Sequence, residues 1–303
     1  MFCGVRLAYL ENACLVTQVD GIVVTQAEGC KGEGVYIYNG GTLIMTEGEI
    51  SNNKLGGVHN QGHFIIYGGK ISNNRNTYTH ITSVTFIGGY GGGVYNNKGN
   101  FEMFGGEISG NTADMAGCGV YNRGGNFTMH NGKISNNKHT YTNNDATTWS
   151  GDGYGGGVAN SGTFEMFGGE ITGNTANKDG GGVSNHSSNF TMYDGIIVGN
   201  TAEIGGGVAC IRGSFTMYGG TISGNKANQT GGGVHIEYGT FNRVGGTISG
   251  NTALEGDNIY LPESPESNSW PSMVSICVSI VFVGGIVGGF YFYESKKRKN
   301  HKG

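Results

Sequence analysis

Apolar and polar residues alternate along most of this chain, as in Phe127-Thr128-Met129 and Phe215-Thr216-Met217. A period of two marks strands whose side chains point to opposite faces. No stretch before residue 272 carries helical periodicity. The alternation is itself repeated. The clearest unit, GGGVYNNKGNFEMFGGEISGNTA at residues 91–113, has counterparts aligned on Val35, Val58, Val94, Val120, Val158, Val183, Val208 and Val234, with Ile259 opening a partial last copy. Successive Val residues lie 23 to 38 positions apart, 25 or 26 in most copies. Three short strands in so short a unit cannot enclose a core alone, but units stacked in register can. The pattern predicts an all-β fold, a right-handed parallel β-helix of about eight to nine coils of ~25 residues. At ~4.8 Å per coil, eight coils make a rod of about 40 Å.

Laid on one coil, the unit gives inward columns of Val, of Phe (Phe64, Phe101, Phe127, Phe164, Phe190, Phe215, Phe241) and of Ile (Ile50, Ile71, Ile108, Ile134, Ile171, Ile197, Ile222, Ile248). Met45, Met103, Met129, Met166, Met192 and Met217 fill the inward position that follows the Phe. Two residues after each Ile stands Gly or Asn (Asn52, Asn73, Gly110, Asn136, Gly173, Gly199, Gly224, Gly250). These residue types tolerate a left-handed backbone, so a tight corner is expected there. The next position is Asn in every copy: Asn53, Asn74, Asn111, Asn137, Asn174, Asn200, Asn225 and Asn251. An amide side chain both donates and accepts, so stacked copies can hydrogen-bond along the rod as an asparagine ladder. A shorter column, Asn60, Asn96, Asn122, Asn160 and Asn185, follows the Val and gives way to Cys210 and Ile236. Just before the Ile column, Glu49, Lys70, Glu107, Lys133 and Glu170 alternate in sign, an order that serves register more than stability.

Composition changes this picture little. The 61 glycines among 303 residues and the 13% of charged residues would suit a low-complexity chain, and the 3 prolines exclude collagen. The glycines, however, fall at fixed points of the repeat, before each Val, before each Ile and at the corner.

With ISGNTA followed by GGGV, the chain resembles the polymorphic outer membrane protein repeats, whose units carry a GGA-[ILV] element and an F-x-x-N element. GGGV at 91–94, 155–158, 180–183, 205–208 and 231–234 stands for the first, and Ile-x-x-Asn at 108–111 or 248–251 for the second. The resemblance covers roughly residues 31 to 260. It implies a β-helical surface protein of adhesin-like character. Ile replaces the usual Phe, the third small residue is Gly, and no autotransporter barrel follows, which sets aside the export route of that family.

The two ends read differently from the repeats. Residues 1–30 read as a degenerate N-terminal coil or cap, and the lack of a convincing signal peptide there suggests a start lying further upstream. Residues 31–260 hold the repeats, with inserted loops at 75–90 and 138–154, and 261–271 form a linker. Residues 272–293 contain no charge and suffice to cross a bilayer as a single transmembrane helix. Trp270 precedes that segment, Tyr291 and Tyr293 close it, and the basic tail at 294–303 is expected in the cytoplasm. The repeats are then outside, at the cell surface. Gly284 with Gly288 forms a GxxxG pair, a route to a homo-oligomer. Leu261-Pro262-Glu263-Ser264-Pro265 looks like a cell-wall sorting signal of the LPxTG kind but departs from it where the chemistry occurs; wall anchoring is the alternative to a membrane anchor. The tail carries +4 of a total charge of −4, leaving −8 on residues 1–293, which argues against nucleic acid as a partner.

The search for chemistry yields little. Parallel β-helices include polysaccharide lyases and glycoside hydrolases, whose sites need clustered carboxylates. Glu102 and Glu165 occupy one outward column two coils apart, roughly 10 Å, and make a cell-associated, glycan-cleaving enzyme of the pectate-lyase-like type the alternative function. Asp114, Asp145, Asp152 and Asp179 share the variable turn, and a weak Ca²⁺ site there is the one cofactor expectation. Neither the eight histidines nor the six cysteines show metal-ligand spacing, and most of the cysteines read as free, buried thiols. Two columns could instead bind. Tyr36, His59, Tyr95, Tyr121 and His235 follow the Val and are expected to point outward as a ligand-stacking column. Tyr67, Phe104, His130, Phe167, Tyr193 and Tyr218 follow the Met position. Structural stacking is the plainer reading of both. The sequence thus points to a membrane-anchored, adhesin-like protein that binds a surface protein or glycan of a host or matrix through an exposed face and its inserted loops, without catalysis.

Overall fold

A computed structural model describes residues 33–77, 85–140 and 153–262, together with the strands Val5–Leu7, Val16–Val19, Val23–Thr25 and Thr79–Thr82. The span expected at 272–293 with Gly284 and Gly288, the tail at 294–303, nearly all of the linker, and Asp145 and Asp152 lie outside the described residues. Among those described, no helix is long and apolar enough to cross a membrane.

The described residues form an all-β arrangement of parallel strands stacked coil on coil. The Val column is a continuous register running Val35, Val58, Val94, Val120, Val158, Val183, Val208, Val234 and Ile259. The Val strands and Phe strands belong to one 17-stranded sheet because two long strands, Val120–Met129 and Val158–Met166, run from one wall onto the next. The Ile strands form a separate 9-stranded sheet. Val5, Thr17 and Val24 pair with Val35, Leu43 and Ile50, so the N-terminal strands add a coil to all three walls. Short strands such as Thr112–Ala113 and Lys226–Thr230 make a fourth wall, which buries Ala113, Ala176, Ala202 and Ala227. Within the first inserted loop, Thr79–Thr82 and Thr85–Ile87 pair antiparallel.

The core lies inside these walls. Phe64 through Phe215 are at most 1% exposed, and the seven Phe rings stack at centroid spacings of 4.6–5.0 Å with planes within 15°. Each fully buried ring contributes about 1.5–3 kcal/mol relative to exposure. Chain direction changes at the expected corner, where all eight Gly or Asn residues have φ between +54° and +65°. Gly157 is fixed by close approach instead. A Cβ there would lie 2.6 Å from the Gly182 carbonyl oxygen and 3.0 Å from Asn174 Nδ2.

Beside that corner the eight asparagines are buried, at most 4% exposed. Each Oδ1 from Asn74 onward accepts from the backbone N–H of the Asn one coil earlier at 2.9–3.0 Å. It also accepts from that residue's Nδ2 at 2.8–3.0 Å. The second Nδ2 proton goes to the carbonyl of the Ile column one coil back, 2.8–3.0 Å away. Two donors and two acceptors are thereby all used, the full capacity of an amide. Asn258, which the repeat pattern did not single out, ends the series by accepting from Asn251 Nδ2 at 3.1 Å. Polar groups also depart from the repeat in the last described coil. Arg243 occupies the Met position and donates to the Gly246 carbonyl at 2.7 Å, and Asp257 accepts from the Ala253 N–H.

Candidate functional site

The column after the Val lies on the outer side of its strands, as the alternation predicts, but it is covered rather than exposed. Tyr36, His59, Tyr95 and Tyr121 are half-buried, while Ala159, Ser184, Ala209 and His235 are at most 5% exposed. The cause is the segment leading into each Gly-Gly-Gly, which lies over this wall. Tyr90 stacks on Tyr121 at 5.2 Å, Tyr154 meets His186 at 4.7 Å with a 43° tilt, and the Thr230 hydroxyl is 2.9 Å from His235 Nδ1. Within the column Tyr36, His59 and Tyr95 meet at tilts of 40–42°, and Arg123 donates to the Tyr95 hydroxyl at 3.0 Å. Burial pushes the Tyr121 hydroxyl above the ordinary tyrosine value, with Tyr95 adding to it, and pushes the His235 imidazole below that of a free histidine. These are the marks of a packed layer.

The second column is open to solvent. Tyr67, Phe104, His130, Phe167, Tyr193 and Tyr218 stack at 4.3–5.4 Å with planes within 16°. Tyr67 is 52% exposed, Phe167 42% and Tyr218 48%. The position follows from the repeat: Phe and Met point inward, and the next residue sits at the turn between two walls, followed by glycine in four copies and by Asn131 and Asp194 in the other two. Because neighbouring rings are nearly parallel, the faces of the interior rings are covered by one another and their edges meet water. A sugar ring stacks on an aromatic face, so the flank of this ladder offers little of that kind. It offers a rigid, apolar strip tipped with tyrosine hydroxyls, about 24 Å long at ~4.8 Å per step.

Two files of side chains border the strip. On the Phe wall, Glu102, Thr128 and Glu165 lie in register, Glu102 is 2.6 Å from His63 Nε2, and Glu165 is hydrogen-bonded to Tyr193. Desolvation within the stack and the Glu165 carboxylate raise the Tyr193 hydroxyl above its ordinary value. On the Ile wall, Lys70 approaches Glu107 at 3.8 Å and Lys133 approaches Glu170 at 3.3 Å. Ile196, 46% exposed, continues that file.

Of the four turn carboxylates, Asp114 and Asp179 are among the described residues, and each has its own partner. Asp114 is buried and accepts from the Thr140 hydroxyl at 2.7 Å, while Asp179 sits 3.6 Å from His186 Nε2. Among the described residues no three His, Cys, Asp or Glu side chains are placed to hold a metal ion. Cys118 and Cys210 are free and buried, and burial raises both thiols above the ordinary value. Cys210 ends the shorter asparagine column by accepting from Asn185 Nδ2 at 3.5 Å. The chain matches no family model, no curated protein and no solved structure.

Proposed function

We propose that this chain is a right-handed parallel β-helix of about eight to nine coils of ~25 residues, anchored at the cell surface by a single helix at 272–293, and that it acts as an adhesin-like binding protein. The observation that carries the reading is the ladder of six rings, four of them exposed and Phe104 and His130 half-buried, on a scaffold held by a fully bonded asparagine ladder. A contiguous apolar strip on the surface is the kind of patch that often serves as a contact site, and a rigid scaffold spares the ordering cost of binding. The resemblance to polymorphic outer membrane protein repeats and the uncharged segment before a basic tail support the surface placement.

The test is adherence of beads coated with the full chain to cell or matrix surfaces. Removing two exposed rings, Phe167→Ser with Tyr193→Ser, is expected to reduce adherence at unchanged folding. A separate chain with the loops at 75–90 and 138–154 shortened reads their share. Undiminished adherence in both would overturn the reading. A second reading, a glycan-cleaving enzyme, is favoured by the pairing of Glu102 with His63 and by Glu165 two coils along the same file. Turnover of acidic or neutral glycans that is lost on Glu102→Gln would establish it.

A further inference from the structure

We infer that the partner of the aromatic ladder is a second copy of this chain, laid against it antiparallel about a two-fold axis centred between His130 and Phe167. The inference rests on the ladder being a contact surface, and it names the occupant.

Spacing is the first argument. The rings repeat every 4.3–5.4 Å over six coils. Only a partner with the same repeat can match ring edge to ring edge along the whole strip, and a second copy has that repeat by construction. The flank of the ladder carries apolar ring edges that no described residue covers.

Charge and symmetry select the direction. A closed pair uses the same patch on both copies, so its two-fold axis lies in the contact plane, either along the rods or across them. An axis along the rods puts each coil opposite the same coil and turns the Ile-wall file of one copy onto the Phe-wall file of the other. Glu107 then faces Glu102 and Glu170 faces Glu165, four like-charge encounters in all. An axis across the rods reverses the coil order and lays each file on itself. Centred between His130 and Phe167, it pairs Tyr67 with Tyr218, Phe104 with Tyr193 and His130 with Phe167, so that every ring is used. In that register Lys133 meets Glu170 of the other copy twice, Glu107 meets Ile196, Lys70 meets Thr221, Glu102 meets Thr191, and Thr128 meets Glu165. No like charges face each other.

The strip and its two files cover on the order of 500 Å² per copy, near the ~1,000 Å² total at which specific interfaces begin. One contact is therefore weak and reversible, and many on apposed surfaces add through avidity. Antiparallel rods anchored at one end suit contact between two opposing surfaces.

The test uses the full chain in detergent micelles, followed by sedimentation velocity over a concentration series, with Lys133→Glu, Glu170→Lys and their equimolar mixture. The wild type is expected to self-associate. Each variant alone places like charges at both symmetry-related contacts and is expected to associate on the order of tenfold more weakly. The mixture restores opposite charges at both contacts and is expected to recover wild-type association. A mixture as weak as either variant, single variants that associate like the wild type, or a wild type that stays monomeric throughout each overturns the inference. Adherence of the same chain to surfaces that do not carry it is read separately. Adherence there without self-association removes the second copy and leaves the contact surface standing, whereas loss of both removes the two together.

Discussion

Two columns of identical spacing run along this rod and end in opposite circumstances. The asparagines at the inner corner are buried and have spent every donor and acceptor on their neighbours. The aromatic rings at the corner on the other side of the Ile wall use their faces on one another and keep their edges in water. Repetition alone therefore does not separate structure from function. What separates them is whether any bonding capacity is left after stacking. A saturated column can only hold the fold, and an unsaturated one can also bind.

The sharpest way to break that contrast is to remove capacity from the saturated column. In Asn137→Asp the Nδ2 group, which donates to the Ile108 carbonyl at 3.0 Å and to Asn174 Oδ1 at 2.9 Å, becomes a charged oxygen facing two acceptors. A loss of about 4 kcal/mol or more is expected in chemical denaturation, and a loss below about 1 kcal/mol would show that the ladder does not hold the rod together. Gly157→Ala comes next. Its Cβ would meet a backbone carbonyl of the following coil, and about 3 kcal/mol is expected in the same measurement from forced separation.

A smaller effect concerns a buried ring outside both columns. His139 is 5% exposed, its Nε2 donates to the Met115 carbonyl at 3.2 Å, and burial lowers its pKa to about 4. The unfolded chain, with an ordinary value near ~6.5, binds the proton more readily in that window. Stability is then complete above the unfolded value and falls as pH drops toward the folded one, by at most about 1.4 kcal/mol per pH unit. Denaturation between neutral pH and pH ~4.5 reads this, and His139→Gln is expected to flatten the slope; an unchanged slope would assign the acid sensitivity elsewhere. Smallest is the exposed column itself. Phe167→Ser is expected to cost about 1 kcal/mol of stability while reducing adherence. A stability loss as large as that of Asn137→Asp would erase the distinction between the columns.

Much of the fold could be read from the chain because each column repeats one residue type at a fixed offset. Val94, Phe101, Ile108 and Asn111 announce their walls and their corner, and the stacked sheets follow from them. The exposure of the column after the Val could not be read in the same way. Alternation tells on which side of a strand Tyr121 or His235 lies, but not that a later segment bearing Tyr90 or Thr230 will fold over that side. The fourth wall escaped because strands such as Thr112–Ala113 are too short to show any period. Residues 1–30 read only as a degenerate coil or cap, without their wall positions, because Val5, Thr17 and Val24 share no motif with the repeats they join. Asn258 belongs to a partial copy, where no repeat offset marks the acceptor that Asn251 uses.

One consequence follows from the asparagine contacts taken in order. Neighbouring rungs are separated by 21, 25, 26 or 37 residues, yet the amide contacts differ by no more than 0.2 Å. Distance along the chain has been uncoupled from distance in space, and all surplus length is expelled at a single edge. Such a rod can gain or lose whole rungs by unequal recombination, or accept foreign sequence at that edge, without the rest of the molecule registering the change.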